Sequence, residues 1–124
     1  MNILIVEDDD NIANVVSEIL QAREFETVLC DTGSQAVELI KNNMYDLILL
    51  DVMLPGLDGF QVMQKIAYRR IPVIFMTARQ DIKDRLYGFE LGAEDYITKP
   101  FNIMELLARI EVVLRRNNKL DDQY

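Results

Sequence analysis

Residues 3–10 read ILIVEDDD, an apolar run that passes directly into four acids. Residues 47–51 repeat this pattern in shorter form as LILLD. Apolar runs of this length, bounded by polar residues, are typical of strands buried on both faces, as in parallel sheets. A carboxylate at the exit of such a strand is costly to bury unless something pairs with it. Two of these exits side by side would form a pocket that needs a cation, and we take this pocket as the candidate functional site.

Apolar runs alternate with helical patterns along the chain. The predicted strands lie near residues 2–6, 26–30, 46–51, 72–77 and 95–98, and the predicted helices near residues 11–23, 33–43, 59–69, 82–92 and 102–117. Strands that alternate with helices of this size form right-handed βαβ units and a parallel sheet. The sequence therefore predicts an α/β fold: a flavodoxin-like, doubly wound (βα)5 sandwich with a five-stranded parallel sheet in the order 2-1-3-4-5.

Turn and cap residues agree with these boundaries. Pro55 and Gly56 form a turn signal after the third predicted strand. Asp58 and Asp81 are suited to be N-caps of the third and fourth helices, and Gly92 is suited to close the fourth.

Composition narrows the class of protein. The 124 residues suit one domain, and no segment has the length and apolarity of a transmembrane span. The single cysteine, Cys30, cannot form an internal disulfide and fits a reducing compartment, so we expect a cytoplasmic protein without membrane contact. Cys30 itself is predicted to be a small apolar filler near a strand end rather than a reactive thiol.

The charge distribution excludes some functions. The net charge is −8, with 12 acids and 2 bases in residues 1–58 but 9 acids and 11 bases in residues 59–124. Direct DNA binding by this chain is not expected, because phosphate contacts need clustered Lys and Arg. The chain has no histidine, which excludes Ser-His-Asp triads and His-bound zinc.

The predicted topology gathers polar residues at one edge of the sheet. Ligands of open parallel sheets bind beyond the carboxyl ends of the strands, where the strand order reverses. That point lies between strands 1 and 3, which end in Glu7-Asp8 and in Asp51. Carboxylates there would repel a phosphate unless a divalent cation intervened, and oxygen ligands suit Mg²⁺. Three separately solvated acids would also fit this placement.

The next two strands end in further polar groups. Thr77 ends the fourth strand with a hydroxyl suited to an anionic oxygen, and Lys99 follows the fifth strand and would bring a cation to the same crevice. Because Lys99 precedes Pro100, its backbone is confined to extended or turn geometry. Taken singly, Thr77 could be bonded by backbone and Lys99 solvated; the whole set is hard to explain by chance.

This set of residues closely resembles the site of the receiver domain of two-component response regulators. The resemblance is strongest in residues 51–59, DVMLPGLDG, and residues 92–101, GAEDYITKPF. The ending over residues 105–116 is similar to the OmpR/PhoB subfamily. The resemblance covers residues 1–117, and residues 118–124 are predicted to begin a linker to an absent C-terminal, DNA-binding effector domain.

The resemblance implies a phosphoacceptor chemistry. Asp51 would take a phosphoryl group from a phosphohistidine of a sensor histidine kinase, with Lys99 and Thr77 holding the phosphoryl oxygens. Mg²⁺ would be bound by Asp8, Asp51 and the backbone carbonyl of Met53, with Glu7 acting through water. Such a domain catalyses its own phosphorylation and dephosphorylation only and is not a turnover enzyme. Asp9 and Asp10 are expected to be helix-capping or surface residues.

The resemblance also implies a switch. Thr77 would move toward the phosphoryl group and Tyr96 would turn inward. This change would favour a homodimer through the fourth helix, fifth strand and fifth helix, with intermolecular salt bridges made by Arg85, Asp95, Glu105 and Arg109.

Three alternatives remain open at this point. An aspartate-based phosphatase would need a second acid two residues after Asp51, where this chain has Met53. A degenerate receiver would bind proteins without phosphorylation, which the intact site residues argue against. A standalone CheY-like signalling protein is also possible, although the linker-like tail favours a regulator that contacts DNA only through its absent domain.

Overall fold

A five-stranded parallel sheet forms the centre of the computed structural model, which describes residues 1–79 and 81–120. Its strands are β1 (Asn2–Val6), β2 (Glu26–Cys30), β3 (Leu47–Asp51), β4 (Val73–Thr77) and β5 (Asp95–Thr98). The strand order is β2-β1-β3-β4-β5, which confirms the predicted topology. In register, Val6 of β1 lies beside Leu50 of β3, so the residues that follow them leave the sheet together.

Five helices connect and cover the strands. They are α1 (Asp10–Ala22), α2 (Gly33–Asn42), α3 (Gly59–Ile66), α4 (Ile82–Glu90) and α5 (Ile103–Arg116). The third helix is shorter than the predicted 59–69, because residues Ala67–Arg69 tighten into a 3-10 turn that ends at Arg70 with a φ of 55°. Short 3-10 turns are common at helix ends, and the apolar pattern alone does not separate them from α-helix.

Side-chain caps fix where the helices begin. Asp58 caps α3 in a capping box with Gln61, and Asp81 caps α4, as predicted. Asp9 caps α1 by accepting from the N–H groups of Asn11 and Ile12. Gly92 follows the end of α4 with a φ of 108°, a conformation that glycine adopts without strain.

The sheet buries both of its faces. One face packs with α2 and α3 in a cluster that includes Leu50, Phe75 and Val62. The other packs with α1 and α5 in a cluster that includes Leu49 and Ile110. Burial on both faces explains why β1, β3 and β4 are continuous apolar runs rather than alternating ones. Cys30 is buried at the end of β2, and this burial, together with the charge of Asp31, raises the pKa of its thiol to about 12.

The chain beyond α5 continues along the domain. Lys119 Nζ lies 3.2 Å from Asp46 Oδ1. Leu120 packs against the cluster beneath α1 and α5. Residues 121–124 of the predicted linker lie outside the described residues, so the linker assignment stays a prediction. None of the helices within residues 1–79 and 81–120 combines the length and the apolarity needed to cross a lipid bilayer.

Candidate functional site

Three carboxylates meet where β1 and β3 end. Glu7, Asp8 and Asp51 each place an oxygen within 4.8 Å of the others. They come together because β1 and β3 are neighbours in the sheet and end at the same edge. Glu7 and Asp51 are buried, with 1% and 3% of their surfaces exposed, whereas Asp8 is exposed. The structure thus brings together the acids that the sequence predicted to be neighbours.

Lys99 supplies the positive charge of the site. Its Nζ donates to Asp51 Oδ2 at 2.9 Å and also contacts Glu7 Oε1. The side chain reaches inward from the segment between β5 and α5, and the peptide bond to Pro100 is cis. Burial opposes the lysine charge, but hydrogen bonds to Glu7 and Asp51 outweigh it and raise the pKa of Lys99. Lys99 is therefore a fixed cation between two buried carboxylates.

Negative charge still exceeds positive charge in this cluster. Burial is the main cause that raises the pKa of Glu7 from 4.5 to about 7, and the nearby Asp51 adds to it. The hydrogen bonds from Lys99 and from the Asp9 N–H, the latter 3.1 Å from Glu7 Oε2, offset this only in part. Three carboxylates facing one lysine leave room for a divalent cation. The donor set consists of oxygen atoms, which is the chemistry that Mg²⁺ prefers.

Met53 lies at the mouth of the site. Its backbone N–H donates to Asp51 Oδ1 at 2.9 Å, and its side chain is 55% exposed. Together with Lys99, this N–H leaves each oxygen of the Asp51 carboxylate with one donor and so fixes its orientation. An open cavity of about 480 Å³ lies over the cluster, lined by Glu7, Asp8, Asp9, Ile12, Asp51, Met53, Ala78 and Lys99. Asp10 does not line this cavity, and Asp9 does so while capping α1.

Thr77 ends β4 next to this edge. It is fully buried and pairs in register with Thr98, the residue before Lys99. Its backbone carbonyl accepts from the Lys99 N–H at 2.8 Å, and its hydroxyl accepts from the Arg79 N–H at 3.2 Å. The first bond ties the ends of β4 and β5 together, and the second holds the start of the loop after β4.

Tyr96 is buried rather than exposed at the surface. Its ring packs against those of Phe75 and Phe89, with centroids 5.9 and 6.4 Å away, and its hydroxyl donates to the Arg79 carbonyl at 3.1 Å. The Arg85 guanidinium lies 5.8 Å from the ring centroid, within the range of a cation–π contact. Burial is the main cause that raises the pKa of Tyr96. Tyr96 is thus packed inward in this structure, and its predicted movement on phosphorylation stays a prediction.

Residues predicted to make salt bridges between copies are paired within the chain. Arg109 Nη1 lies 3.0 Å from Asp95 Oδ1, and its Nε lies 3.2 Å from Glu105 Oε2. The structure therefore brings these three charges together on the face formed by β5 and α5, while Arg85 lies over Tyr96. Intermolecular bridges would require these side chains to exchange or share partners.

One set of contacts was missed by the sequence reasoning. Arg79 links Thr77 and Tyr96 through its backbone, and its Nε lies 2.8 Å from Asp84 Oδ2 in the first turn of α4. The spacing of an arginine two residues after a strand end carries no periodic signal that would have indicated these partners.

Comparison with known proteins gives consistent relationships. Residues 3–111 match the family model described as response regulator receiver domain. The chain is 44% identical over 118 residues to the transcriptional regulatory protein RprY of Bacteroides fragilis, covering 94% of this chain and 50% of that protein. It is 43% identical over 118 residues to the uncharacterized transcriptional regulatory protein YkoG of Bacillus subtilis, covering 94% and 52%. The chain thus spans about half the length of these relatives.

A solved structure extends the likeness to three dimensions. The BeF3-activated N-terminal receiver domain of Klebsiella pneumoniae RstA superposes with a TM-score of 0.87 at 32% identity. The match covers 93% of this chain and 99% of that one.

Proposed function

The chain belongs to the response regulator receiver domain family, and on this basis we propose that it accepts a phosphoryl group on Asp51 from a phosphohistidine of a sensor histidine kinase. The observation that carries this proposal is the setting of Asp51: a buried carboxylate whose two oxygens are held by Lys99 and the Met53 N–H, beside Glu7 and Asp8. A carboxylate held this way presents a fixed nucleophile to a donor that enters through the open cavity.

The phosphoryl transfer is a displacement at phosphorus. An Asp51 oxygen attacks the phosphorus atom, the new O–P bond forms, and the N–P bond breaks with its electron pair returning to the imidazole nitrogen of the donor. In the reverse direction of the signal, water attacks the phosphorus, the O–P bond breaks, and the Asp51 carboxylate is restored with release of inorganic phosphate. Each event acts once on the protein itself, so we propose a signalling domain rather than a turnover enzyme.

The residues around Asp51 have separate tasks. Asp8, Asp51 and the Met53 carbonyl would hold Mg²⁺, with Glu7 acting through water. When bound, this ion offsets the repulsion between carboxylates and the incoming phosphoryl group. Lys99 already contacts Asp51 and would bind a phosphoryl oxygen, and the Thr77 hydroxyl would turn to bind another.

The output that we propose is dimerisation. Phosphorylation would act through Thr77 and Tyr96 to favour pairing of two copies through α4, β5 and α5, with Arg85, Asp95, Glu105 and Arg109 setting the register. The relatives RprY and YkoG are named as transcriptional regulatory proteins, and each is about twice as long as this chain. We infer that DNA binding belongs to a further domain in a longer protein of this kind. The cytoplasmic location expected from the sequence stays a prediction.

Labelling by a small phosphodonor tests the proposed acceptor. Incubation with Mg²⁺ and acetyl phosphate should add one phosphoryl group to the wild-type chain, measured by intact-protein mass spectrometry. Asp51→Asn should abolish this addition, because an amide oxygen is a poor nucleophile. Asp10→Asn is the matched control: it removes the same charge from the acidic run but should leave labelling unchanged. Undiminished labelling of Asp51→Asn would remove Asp51 from its role.

Sedimentation velocity tests the proposed output. The phosphorylated wild-type chain should shift toward dimer, whereas Asp51→Asn under the same conditions should stay unchanged. A labelled protein with the sedimentation profile of the unlabelled one would contradict dimerisation as the output while leaving Asp51 as the acceptor.

A further inference from the structure

Arg79 joins three parts of the molecule from the loop between β4 and α4. Its backbone N–H donates to the Thr77 hydroxyl at 3.2 Å, and its carbonyl accepts from the Tyr96 hydroxyl at 3.1 Å. Its guanidinium Nε lies 2.8 Å from Asp84 Oδ2 in the first turn of α4. One loop residue therefore contacts the end of β4, the buried tyrosine of β5 and the start of a helix.

Helix α4 is held by few buried residues. Of its nine residues, Gly88 alone is buried, whereas α5 buries five of its fourteen. Gly88 lies so near the Phe75 ring that a Cβ there would come within 3.2 Å of it, and Tyr87 stacks edge-on against Phe60 at 5.1 Å. These contacts hold the second half of α4.

The first half of α4 is attached differently. Among the described residues, its charged side chains carry the contacts there: Asp84 pairs with Arg79, and Arg85 lies over the Tyr96 ring. Ile82 and Leu86 are both mostly exposed. A helix attached at one end by an ion pair to a loop follows that loop at low cost, because little apolar surface is uncovered when it moves.

The loop is placed to respond to the site. If the Thr77 hydroxyl rotates toward a phosphoryl oxygen on Asp51, its lone pairs turn away from the Arg79 N–H. That N–H then loses its acceptor in the protein, and one restraint on the loop around Arg79 is removed. The side chain of Arg79 carries an adjustment of this loop to Asp84 as long as the ion pair persists.

We propose that the Arg79–Asp84 ion pair couples the β4–α4 loop to the first turn of α4, so that it determines how far the helix responds to phosphorylation of Asp51. Arg79 and Asp84 are positioning residues in this scheme, since neither acts on the phosphoryl group. The inference rests on the proposed function. Although a partly exposed ion pair is weak, its loss can change an equilibrium by up to about fivefold.

Amide chemical shifts measure the response of α4 directly. In ¹⁵N-labelled protein with Mg²⁺ and beryllofluoride, a stable stand-in for the phosphoryl group, the wild-type amides of Lys83 to Leu86 should shift. In Asp84→Asn these shifts should fall to less than half, while the shifts of Asp8 and Met53 beside the acidic cluster stay as in wild type. A residue with a merely structural role would not separate the two groups of amides.

Matched variants isolate the ion pair. Glu90→Gln removes the same charge from the exposed far end of α4 and should keep the wild-type response. Asp84→Glu keeps the carboxylate and should restore most of the wild-type response of α4. Arg79→Gln should reproduce the effect of Asp84→Asn, and combining the two should add nothing, as expected for two partners of one interaction.

The outcomes separate this inference from the function on which it rests. Shifts at Asp8 and Met53 with a normal α4 response in Asp84→Asn would overturn the coupling role and leave the acceptor role intact. A wild-type protein that neither shifts at Asp8 and Met53 nor takes up phosphoryl from acetyl phosphate would overturn the proposed function, and the coupling role with it.

Discussion

The interior of the sheet and the two acids Glu7 and Asp51 at its carboxyl edge are all buried but are chemically opposite. In β3, the four residues Leu47–Leu50 are fully buried among apolar neighbours on both faces. The next residue, Asp51, is also buried, as is Glu7 after β1. Burial of Leu50 therefore stabilises the fold, whereas burial of the next residue, Asp51, opposes it.

Burial therefore stabilises the interior of the sheet and destabilises its carboxyl edge. Apolar side chains gain free energy from burial, whereas a buried carboxylate loses hydration that one lysine does not fully replace. The raised pKa of Glu7 is the physical sign of that loss. An edge built in this way is improved by a cation or by a neutral substitution, and an interior is improved by neither.

A large effect is expected from truncating the interior. Leu49→Ala should lower the free energy of unfolding by about 2–5 kcal/mol, since the removed methyl groups leave a cavity between β3 and α5. Urea unfolding followed by circular dichroism measures this change.

The same substitution at the surface is the control. Leu86→Ala, at a residue of α4 that is 57% exposed, should change stability by no more than about 0.5 kcal/mol. Equal losses at the two positions would contradict the contrast between interior and surface.

Removing a charge from the edge should have the opposite sign. The pKa of Glu7 is about 7 in the folded chain, compared with an ordinary value of 4.5, so Glu7 does not lower the free energy of unfolding below pH 4.5. As the pH rises from 4.5 to 7, ionisation of Glu7 lowers the free energy of unfolding, and above pH 7 the loss stays constant at about 3 kcal/mol at most. Glu7→Gln should therefore be more stable than wild type at pH 8, in EDTA, by about 1–3 kcal/mol, and equal to it at pH 4.

Thermal unfolding across this pH range measures the difference. Glu18→Gln, at an exposed acid of α1, is the control and should track wild type at each pH. A Glu7→Gln variant that is less stable than wild type at pH 8 would show that Glu7 supports the fold through Lys99 rather than straining it.

The edge should also respond to magnesium. At a free concentration ten times the dissociation constant, binding to the folded chain alone adds about 1.4 kcal/mol. This should raise the melting temperature by about 3–6 °C. Asp8→Asn should lose most of the rise by weakening the donor set, whereas Asp10→Asn should keep it. An identical rise in all three proteins would point to a magnesium effect outside the carboxylate cluster.

Periodic features of this fold were open to sequence reasoning, and contacts between side chains of different elements were not. The order of the strands follows from alternating patterns and chain chirality, and it alone places Glu7, Asp8 and Asp51 together. The family resemblance added the proposed roles of Thr77 and Lys99 in binding the phosphoryl group, which stay predictions.

Contacts made once, by a long side chain reaching across the molecule, leave no pattern in the sequence. Arg69 donates to the carbonyls of Ile40, Lys41 and Asn43 at the end of α2, and Arg79 reaches Asp84. The same limit applies to the end of α3, where a 3-10 turn shares the spacing of the helix before it.

The smallest effect on stability should come from surface charges outside both the sheet interior and its carboxyl edge. Arg109 is 40% exposed, and hydrogen bonding to Asp95 and Glu105 raises its pKa. Ion pairs of this exposure contribute about 0.2–1 kcal/mol and weaken as salt increases. Arg109→Gln should therefore lower the stability of the monomer by less than 1 kcal/mol, and this difference should fade in 1 M NaCl. A loss of stability above about 2 kcal/mol that persists in high salt would show that Arg109 supports the fold as strongly as a buried interior residue does. A small loss of monomer stability, combined with a reduced dimer fraction after phosphorylation, would instead mean that Arg109 contributes mainly to contacts with a second copy of the chain.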